Sequence, residues 1–106
     1  MRVGDVIIHR SNRTVKRAGS SIDLRKKEFE LLELLMEHPN EVMSKQRIMD
    51  ILWGHGLDAN ESRVIDNHLC RLRAKLDKGY DKKYICTRRG GGYTFVNQED
   101  EKIIFM

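Results

Sequence analysis

Residues 62–76, SRVIDNHLCRLRAKL, carry the clearest amphipathic pattern in the chain. Leucines and an isoleucine recur there at spacings of four, three and four, which predicts an α-helix with one apolar stripe. The stripe consists of Ile65, Leu69, Leu72 and Leu76. Ser62 stands just before it and is a good N-cap, because its hydroxyl can accept a hydrogen bond from a free backbone N–H. We therefore predict a helix over residues 62–76 that buries one edge.

The side of this helix opposite the stripe has a different chemistry, at about 100° of rotation per residue. It carries Arg63, Asn67, Cys70, Arg71 and Ala74. Asp66 and Arg73 lie on one flank of that side, and His68 and Lys75 lie on the other. Basic, amide and small side chains suit the major groove of DNA, where Arg pairs with guanine and Asn with adenine. The alternative is a solvated helix face that has no partner.

The N-terminal region shows short β-prone runs instead of a helical period. They are Val6–Ile8, Thr14–Lys16 and Ile22–Leu24. Turn-forming residues, Ser11-Asn12 and Ala18-Gly19-Ser20, separate them. This pattern predicts an antiparallel meander that serves as a structural platform.

Two helices are predicted between the meander and residues 62–76. The apolar period of residues 26–38 predicts the first, which ends before Pro39 because proline disfavours helical geometry in the residue that precedes it. Val42-Met43 can form a brief strand. Ser44 then caps the second helix, and Gly54 follows it as a C-terminal glycine. The residues of this second helix expected to face the core are Ile48, Ile51 and Leu52.

Asp77-Lys78-Gly79 should close the helix over residues 62–76, and a hairpin is predicted after it. The β-prone runs Tyr84–Arg88 and Tyr93–Val96 are joined by Arg89 and three glycines. Glycine-rich stretches can also bind nucleotide phosphates, but no Gly-Lys-Ser/Thr follows this one and no helix opens after it. We interpret it as a narrow, arginine-tipped ribbon that enters a minor groove or binds phosphates.

The composition indicates one small folded domain. Its 106 residues include 40% apolar residues, enough for one hydrophobic core. We expect a domain at residues 1–98, with a sheet at about 3–24, a helical core at about 25–78 and the hairpin at about 83–96, followed by a tail at 99–106. No long apolar run or signal-peptide core is present, so we expect a cytoplasmic protein with no membrane partner.

Several kinds of chemistry have little support in the sequence. Cys70 and Cys86 are too few for a disulfide framework and are expected to stay reduced. The four histidines are scattered, so neither a metal nor another cofactor is expected. No nucleophile–base pair is recognisable in the sequence, and we therefore expect that the protein is not an enzyme.

The charges are unevenly distributed along the chain, although the net charge is only +4. Residues 1–27 hold eight Lys or Arg against two Asp or Glu, and residues 63–89 hold nine against three. Residues 28–61 hold two against eight. Basic segments around an acidic middle predict one positive face, which suits a polyanion, and one negative face.

These elements, in this order, resemble the winged-helix DNA-binding domain of OmpR/PhoB-type response regulators. The similarity runs from about residue 3 to residue 96. The residues that carry it are Leu24, Glu28–Leu32, His38-Pro39, Val42–Ser44, Trp53-Gly54, Arg63–Leu69, Arg71–Leu76 and Thr87–Tyr93. The family usually has Ser or Thr where Arg25 stands, so Glu28 should form only half of a capping box.

The resemblance implies an α+β winged helix-turn-helix fold with an N-terminal antiparallel meander, three helices and a C-terminal hairpin wing. It implies a transcriptional regulator of the two-component type that binds tandem half-sites on double-stranded DNA as a head-to-tail dimer. A receiver domain and a sensor kinase are implied if the chain is a fragment. With no apolar stripe left for a dimer seam, we expect a monomer off DNA, and half-sites about one helical turn apart.

Site residues follow from helical position together with the resemblance. For base readout we assign Arg63, Asp66, Asn67 and Arg71. For phosphate and wing contacts we assign Trp53, His68, Arg73, Lys75, Thr87, Arg88 and Arg89. Trp53 has a second interpretation as a core anchor, and Leu69 and Tyr93 are assigned to the core. By resemblance, the loop that contacts RNA polymerase comprises Gly54, His55, Gly56, Leu57, Asp58, Ala59, Asn60 and Glu61.

A winged helix can also be a protein-interaction module without specific DNA binding. In that case the acidic surface of residues 28–61 would be the active one. Retention on heparin or on random duplex DNA at low salt would favour DNA binding over this alternative.

Overall fold

The computed structural model describes residues 1–54 and 62–97, and it has the predicted order of a sheet, three helices and a hairpin. The N-terminal strands are β1 (Arg2–Val3), β2 (Val6–His9), β3 (Thr14–Arg17) and β4 (Ser20–Ile22). The helices are α1 (Lys26–Glu37), α2 (Lys45–Leu52) and α3 (Ser62–Leu76). The hairpin consists of β5 (Ile85–Thr87) and β6 (Tyr93–Phe95). These elements confirm the α+β winged-helix fold.

The N-terminal strands form one antiparallel sheet in the order β1-β2-β3-β4. In the register between β2 and β3, Val6 lies opposite Arg17 and Ile8 opposite Val15. All four of these side chains are buried, whereas their neighbours along each strand are partly or fully exposed. The alternation of side chains along a strand therefore places an arginine on the inner face of the sheet, beside three apolar residues.

The sheet differs from the prediction at both ends. The two-residue strand β1 was not predicted, because it is too short to show an alternating pattern. The last strand begins at Ser20 instead of Ile22. Ala18 and Gly19 have φ values of 49° and 83° and make the turn, so the chain is already extended at Ser20. The prediction that Ile22–Leu24 forms the third strand was therefore wrong by two residues.

Helix α1 begins at Lys26, as predicted, and is capped from one side only. The backbone N–H of Arg25 donates to Glu28 Oε1 at 2.9 Å, whereas the Arg25 guanidinium has no acceptor to offer the first turn. The expected half of a capping box is therefore present. Six apolar side chains of this helix are buried around most of its circumference, so α1 is the centre of the core.

The structure of α2 confirms its predicted cap, but one residue assigned to its core side is exposed. Ser44 Oγ accepts a hydrogen bond from the N–H of Arg47 at 3.1 Å. Ile48 and Met49 are buried, while Ile51 is 51% exposed, so its assignment to the core was wrong. Ile48, Met49 and Leu52 define the inner side of this short helix, and Ile51 lies about 100° from the middle of that side.

Helix α3 packs against α1 and α2, and the hairpin follows it. Met43 forms an isolated antiparallel bridge with Tyr93, through N–H···O contacts of 2.8 and 2.9 Å, which confirms a brief extended segment there. The bridge attaches the hairpin to the start of α2.

Among the described residues, no helix is long and apolar enough to cross a membrane. The predicted tail, residues 99–106, lies outside the described residues.

Candidate nucleic-acid interface

Helix α3 is fixed to the core along its whole length. The four residues of its apolar stripe, Ile65, Leu69, Leu72 and Leu76, are all completely buried. The five residues on the opposite side, Arg63, Asn67, Cys70, Arg71 and Ala74, are all exposed. This confirms the rotation of the helix that its period predicts. The prediction that the Ser62 hydroxyl caps this helix falls on a side chain that the structure does not describe.

The outer face of α3 has polar groups that are free to bind a partner. The side chains of Arg63, Asn67 and Arg71 make no hydrogen bond or ion pair with any other residue that the structure describes. Cys70 and Ala74 are exposed on the same side of the helix and are small, so they leave room for close approach. Two guanidinium groups and an amide on one rigid ridge can donate to, and in the case of Asn also accept from, the edge of a nucleobase.

One flank of α3 is tied to the wing through Asp66. Its Oδ1 accepts a hydrogen bond of 2.6 Å from the Tyr93 hydroxyl, and its Oδ2 accepts one of 3.0 Å from Lys45 Nζ at the start of α2. The Tyr93 hydrogen bond, with help from Lys45, outweighs burial and lowers the pKa of Asp66. Burial and the Asp66 carboxylate together raise the pKa of Tyr93 to about 12. At neutral pH the carboxylate is thus ionised and the phenol keeps its proton.

Arg73 also lies on this flank and faces the wing. One guanidinium nitrogen donates to Thr87 Oγ1, and the guanidinium carbon lies 5.3 Å from the centre of the Tyr93 ring. A cavity of about 320 Å³ lies between α3 and the hairpin here. It is lined by Asp66, Cys70, Arg73, Thr87 and Tyr93. The structure therefore brings together two predicted phosphate contacts, Arg73 and Thr87, and bonds them to each other.

The other flank of α3 faces the body of the domain. Lys75 Nζ donates to Oε1 of Glu28 at 2.5 Å, and the Glu28 side chain is only 1% exposed. Burial opposes ionisation of this carboxyl, but the hydrogen bonds from Lys75 and from the backbone of Arg25 keep the pKa of Glu28 below its ordinary value. Lys75 was assigned to phosphate contact from its helical position. In the structure, its ammonium group is instead paired with the buried carboxylate of Glu28 in the same domain.

His68 and Trp53 form a second contact on this flank. The rings meet edge to face at a centroid distance of 5.4 Å, and His68 Nδ1 lies 2.7 Å from the carbonyl oxygen of Val64. Trp53 is half-buried and packs against the core, and Lys27 Nζ lies 5.1 Å from its ring centre. The packing supports the interpretation of Trp53 as a core anchor, whereas a contact between Trp53 and phosphate stays a prediction.

The wing tip is the second exposed basic element. Thr87, Arg88 and Arg89 are exposed, and the N–H of Arg88 donates to the carbonyl oxygen of Gly92 at 2.7 Å to close the loop. Gly90 and Gly91 have φ values of 93° and 90°, which residues with a side chain rarely adopt. The glycines therefore permit a turn that presents both arginines on a narrow ribbon.

Lys45 is a member of this surface that sequence reasoning missed. It lies at the junction of α2, α3 and the wing, because its ammonium group pairs with Asp66 and its side chain runs past Gly91. Its position directly after the Ser44 cap is the one signal that could have suggested it, since the first turn of a helix often approaches an anion. No three His, Cys, Asp or Glu residues in the described parts of the chain are placed to share a metal ion.

Comparison with known proteins identifies the family of this domain. Residues 19–95 match the family described as "Transcriptional regulatory protein, C terminal". The chain belongs to this family, the C-terminal domains of OmpR/PhoB-type response regulators. The matched residues include all three helices and both strands of the wing, so they contain the whole surface described above.

Individual members of the family resemble the chain closely. It is 37% identical to the transcriptional regulatory protein PcoR of Escherichia coli over 98 residues, covering 92% of this chain and 43% of PcoR. It is 37% identical to the phosphate regulon regulatory protein PhoB of Rhizobium meliloti, covering 89% of this chain and 41% of that protein. The chain thus spans less than half of the length of these relatives.

A solved domain of the family superimposes on nearly the whole chain. The DNA-binding domain of Klebsiella pneumoniae RstA, in complex with the RstA box, matches with a TM-score of 0.76 and 30% identity. The match covers 92% of this chain and 96% of the RstA domain. The OmpR/PhoB-type domain described here is therefore comparable in extent to a separately crystallised DNA-binding domain.

Proposed function

We propose that this domain binds double-stranded DNA at specific sequences, with α3 in the major groove and the wing on the adjacent minor groove or phosphates. The observation that carries the proposal is the row of Arg63, Asn67 and Arg71. These side chains are exposed and have no partner among the described residues, while the opposite side of the same helix is completely buried. The helix cannot rotate to hide them, so a partner with acceptors at this spacing would meet all three.

Base readout is proposed to depend mainly on Arg71 and Asn67, with Arg63 beside them. Arg71 suits guanine and Asn67 suits adenine, because each can form two hydrogen bonds to the major-groove edge of that base. Asp66 remains a candidate for accepting from cytosine, but Tyr93 and Lys45 already occupy one lone pair on each of its oxygens. Its main contribution is proposed to be the attachment of the wing to α3.

Phosphate contacts are proposed to depend chiefly on Arg88 and Arg89, whose guanidinium groups are exposed at the wing tip. Arg73 and Thr87 lie in the groove between α3 and the wing and can exchange their mutual hydrogen bond for one to a phosphate oxygen. Lys75 and His68 are assigned a weaker contribution, since Glu28 and Trp53 hold them on the side away from the wing.

The proposal extends to the partners that the resemblance implies. A receiver domain and a sensor kinase would control a longer protein, and two copies would bind adjacent half-sites head to tail. RNA polymerase would contact residues 54–61, of which all but Gly54 lie outside the described residues. These partners belong to the whole regulator, whereas DNA binding belongs to the domain itself.

Arg71→Ala and Asn67→Ala test the major-groove assignment. Each is expected to weaken binding to the preferred site by about 1–3 kcal/mol and to relax its sequence, because a two-hydrogen-bond contact to one base is lost. Selection from random duplexes gives the preferred sequence, and titration gives the affinity. Lys16→Ala is the matched control, since it removes an exposed positive charge from the N-terminal sheet. If both variants select the parent's site with equal stringency, α3 does not read bases in this orientation.

Arg89→Ala tests the wing. It is expected to weaken binding to preferred and scrambled duplexes by the same factor, because one phosphate contact is lost. For the same reason, the plot of log affinity against log salt concentration should become less steep by about one unit of slope. Arg88→Ala should act in the same direction but less strongly, since Arg88 directly follows the end of β5 and lies one residue farther from the glycine tip than Arg89. Affinities of the parent and of both variants, measured at several salt concentrations, test these expectations. An unchanged slope for Arg89→Ala would exclude the hairpin from DNA contact.

A further inference from the structure

A completely buried arginine of the N-terminal sheet is bonded to the end of the DNA-facing helix. Arg17 Nη1 donates to the carbonyl oxygen of Leu76 at 2.7 Å and to Asp77 Oδ1 at 2.8 Å. Its Nη2 donates to the carbonyl oxygen of Lys82. All three acceptors belong to the last residue of α3 or to the segment between α3 and β5. One guanidinium group of β3 therefore holds both ends of the connection from helix to wing.

Asp77 continues this network into the first strand of the wing. Its Oδ1 also accepts from the N–H of Tyr84 at 3.2 Å, and its Oδ2 accepts from the N–H of Ile85 at 3.0 Å. A carboxylate at the C-terminal end of a helix is unfavourably placed with respect to the helix dipole. Here the Arg17 cation and two backbone donors compensate for that position, and they fix the direction in which β5 leaves the helix.

The turn between β1 and β2 adds a second attachment. The Tyr84 hydroxyl donates to Asp5 Oδ1 at 2.6 Å and accepts from the N–H of Asp5 at 2.9 Å. Gly4 lies directly beside the Tyr84 hydroxyl, where a Cβ atom would clash with it. Arg17 and Tyr84 therefore both connect the N-terminal sheet to the base of the wing. The family match begins at residue 19, so Asp5 and Arg17 lie outside it.

The base of the wing determines where its tip lies. A fully extended chain from Ile85 to Arg89 would cover about 13 Å at most, so a rotation of about 10° at Ile85 moves the tip by up to about 2 Å. A displacement of that size exceeds the range of lengths over which an N–H···O hydrogen bond forms. Binding by α3 and wing together thus requires that the angle between them be held before DNA arrives.

We propose that Arg17 is a positioning residue for DNA binding, which acts by holding the wing at the angle to α3 that lets both contact the duplex. The inference rests on the proposed function of the wing. Arg17 cannot contact DNA itself, because its side chain is only 1% exposed. The N-terminal sheet is then a part of the DNA-binding apparatus, through Asp77 and Tyr84, and more than a platform for the core.

Arg17→Lys is the variant that tests this role. An ammonium group keeps the charge beside Asp77, but it lacks the planar fork that reaches the Leu76 and Lys82 carbonyls at the same time. Arg10→Lys is the matched control, because Arg10 also joins the sheet to a helix but does so at an exposed ion pair with Glu33 and Glu37. Affinity is measured at low temperature, where circular dichroism shows each variant to be folded, with and without Arg89→Ala.

In the parent and in Arg10→Lys, we expect Arg89→Ala to weaken binding to scrambled duplex severalfold. In the Arg17→Lys background, we expect Arg89→Ala to change the affinity for scrambled duplex by less than twofold, because the wing no longer reaches the phosphates. For the same reason, the affinity of Arg17→Lys itself should depend less steeply on salt concentration than that of the parent. Should Arg17→Lys fail to fold, Tyr84→Phe, which removes only the hydroxyl that holds Asp5, is expected to reduce the effect of Arg89→Ala in the same way.

The possible results separate this inference from the proposed function. If Arg89→Ala has its full effect in the Arg17→Lys or Tyr84→Phe background, the wing contacts DNA but the sheet does not position it, and the inference is overturned alone. If Arg89→Ala has no effect even in the parent, both the wing contact and the inference are wrong.

Discussion

Asp77→Ala is expected to lower the free energy of unfolding by about 3–5 kcal/mol, because it removes the nearer counter-ion of the buried Arg17 guanidinium. The carboxylate that remains is that of Asp5, whose Oδ1 lies 3.7 Å from Arg17 Nε. Two backbone N–H groups, those of Tyr84 and Ile85, lose their acceptor in the same change. The hydrophobic core is untouched, so the loss reports on the polar network alone. A domain of this size usually has about 5–15 kcal/mol of stability in total, so thermal and denaturant unfolding should both show the effect clearly.

The matched control is Arg10→Ala, which breaks two ion pairs on the surface. Arg10 lies 2.6 Å from a Glu33 oxygen and 2.9 Å from a Glu37 oxygen, but its side chain is 57% exposed. Exposed ion pairs contribute little, so this variant should lose less than about 1 kcal/mol. If Asp77→Ala and Arg10→Ala melt at similar temperatures, Asp77 is accessible to water and the network does not stabilise the fold.

The features that the sequence predicts well are those that one element determines by itself. The 3.6-residue period of residues 62–76 defines which side of α3 is buried, and the structure has that side completely covered. The Ser44 cap of α2 and the glycine turn of the wing are equally local, since each depends on a few consecutive residues. These features locate the exposed ridge of Arg63, Asn67 and Arg71 without knowledge of the rest of the fold.

The flanks of α3 could not be predicted in this way, because their environment depends on which element packs beside them. The period places Arg73 and Lys75 at the edges of the exposed side, and it assigns them the same role. In the structure, Arg73 faces the wing and bonds to Thr87, whereas Lys75 faces α1 and pairs with the buried Glu28. Only the three-dimensional arrangement of α1 and the hairpin around α3 distinguishes the two cations.

Arg17 lies one residue beyond the predicted run Thr14–Lys16, because β3 extends to Arg17. Alternation along β3 puts Arg17 on the same face as the buried Val15, which implies a charged group in the core that needs a partner. Sequence alone does not show that the partner is Asp77, which lies 60 residues away. A basic residue two positions from a buried valine in a short strand is therefore a useful sign of an internal ion pair.

Leu72→Ala is expected to lower the free energy of unfolding by about 2–5 kcal/mol, because Leu72 is completely buried and its truncation leaves a cavity beneath α3. The size of the effect within that range depends on how far the surrounding side chains relax. At about 4–8 °C per kcal/mol, the melting temperature should fall by on the order of 10 °C or more. Thermal unfolding followed by circular dichroism measures the change.

The adjacent residue gives the control that separates folding from recognition. Arg71→Ala alters an exposed side chain on the same helix, and alanine and arginine have similar helix propensities, so its stability should stay within about 0.5 kcal/mol of the parent's. Below its melting temperature, Leu72→Ala should select the parent's DNA sequence, whereas Arg71→Ala should melt like the parent and select a relaxed one. If Leu72→Ala had the same melting curve as the parent, Leu72 would not be part of the hydrophobic core. Relaxed selection by folded Leu72→Ala would show instead that the buried side of α3 governs which bases its exposed side can reach.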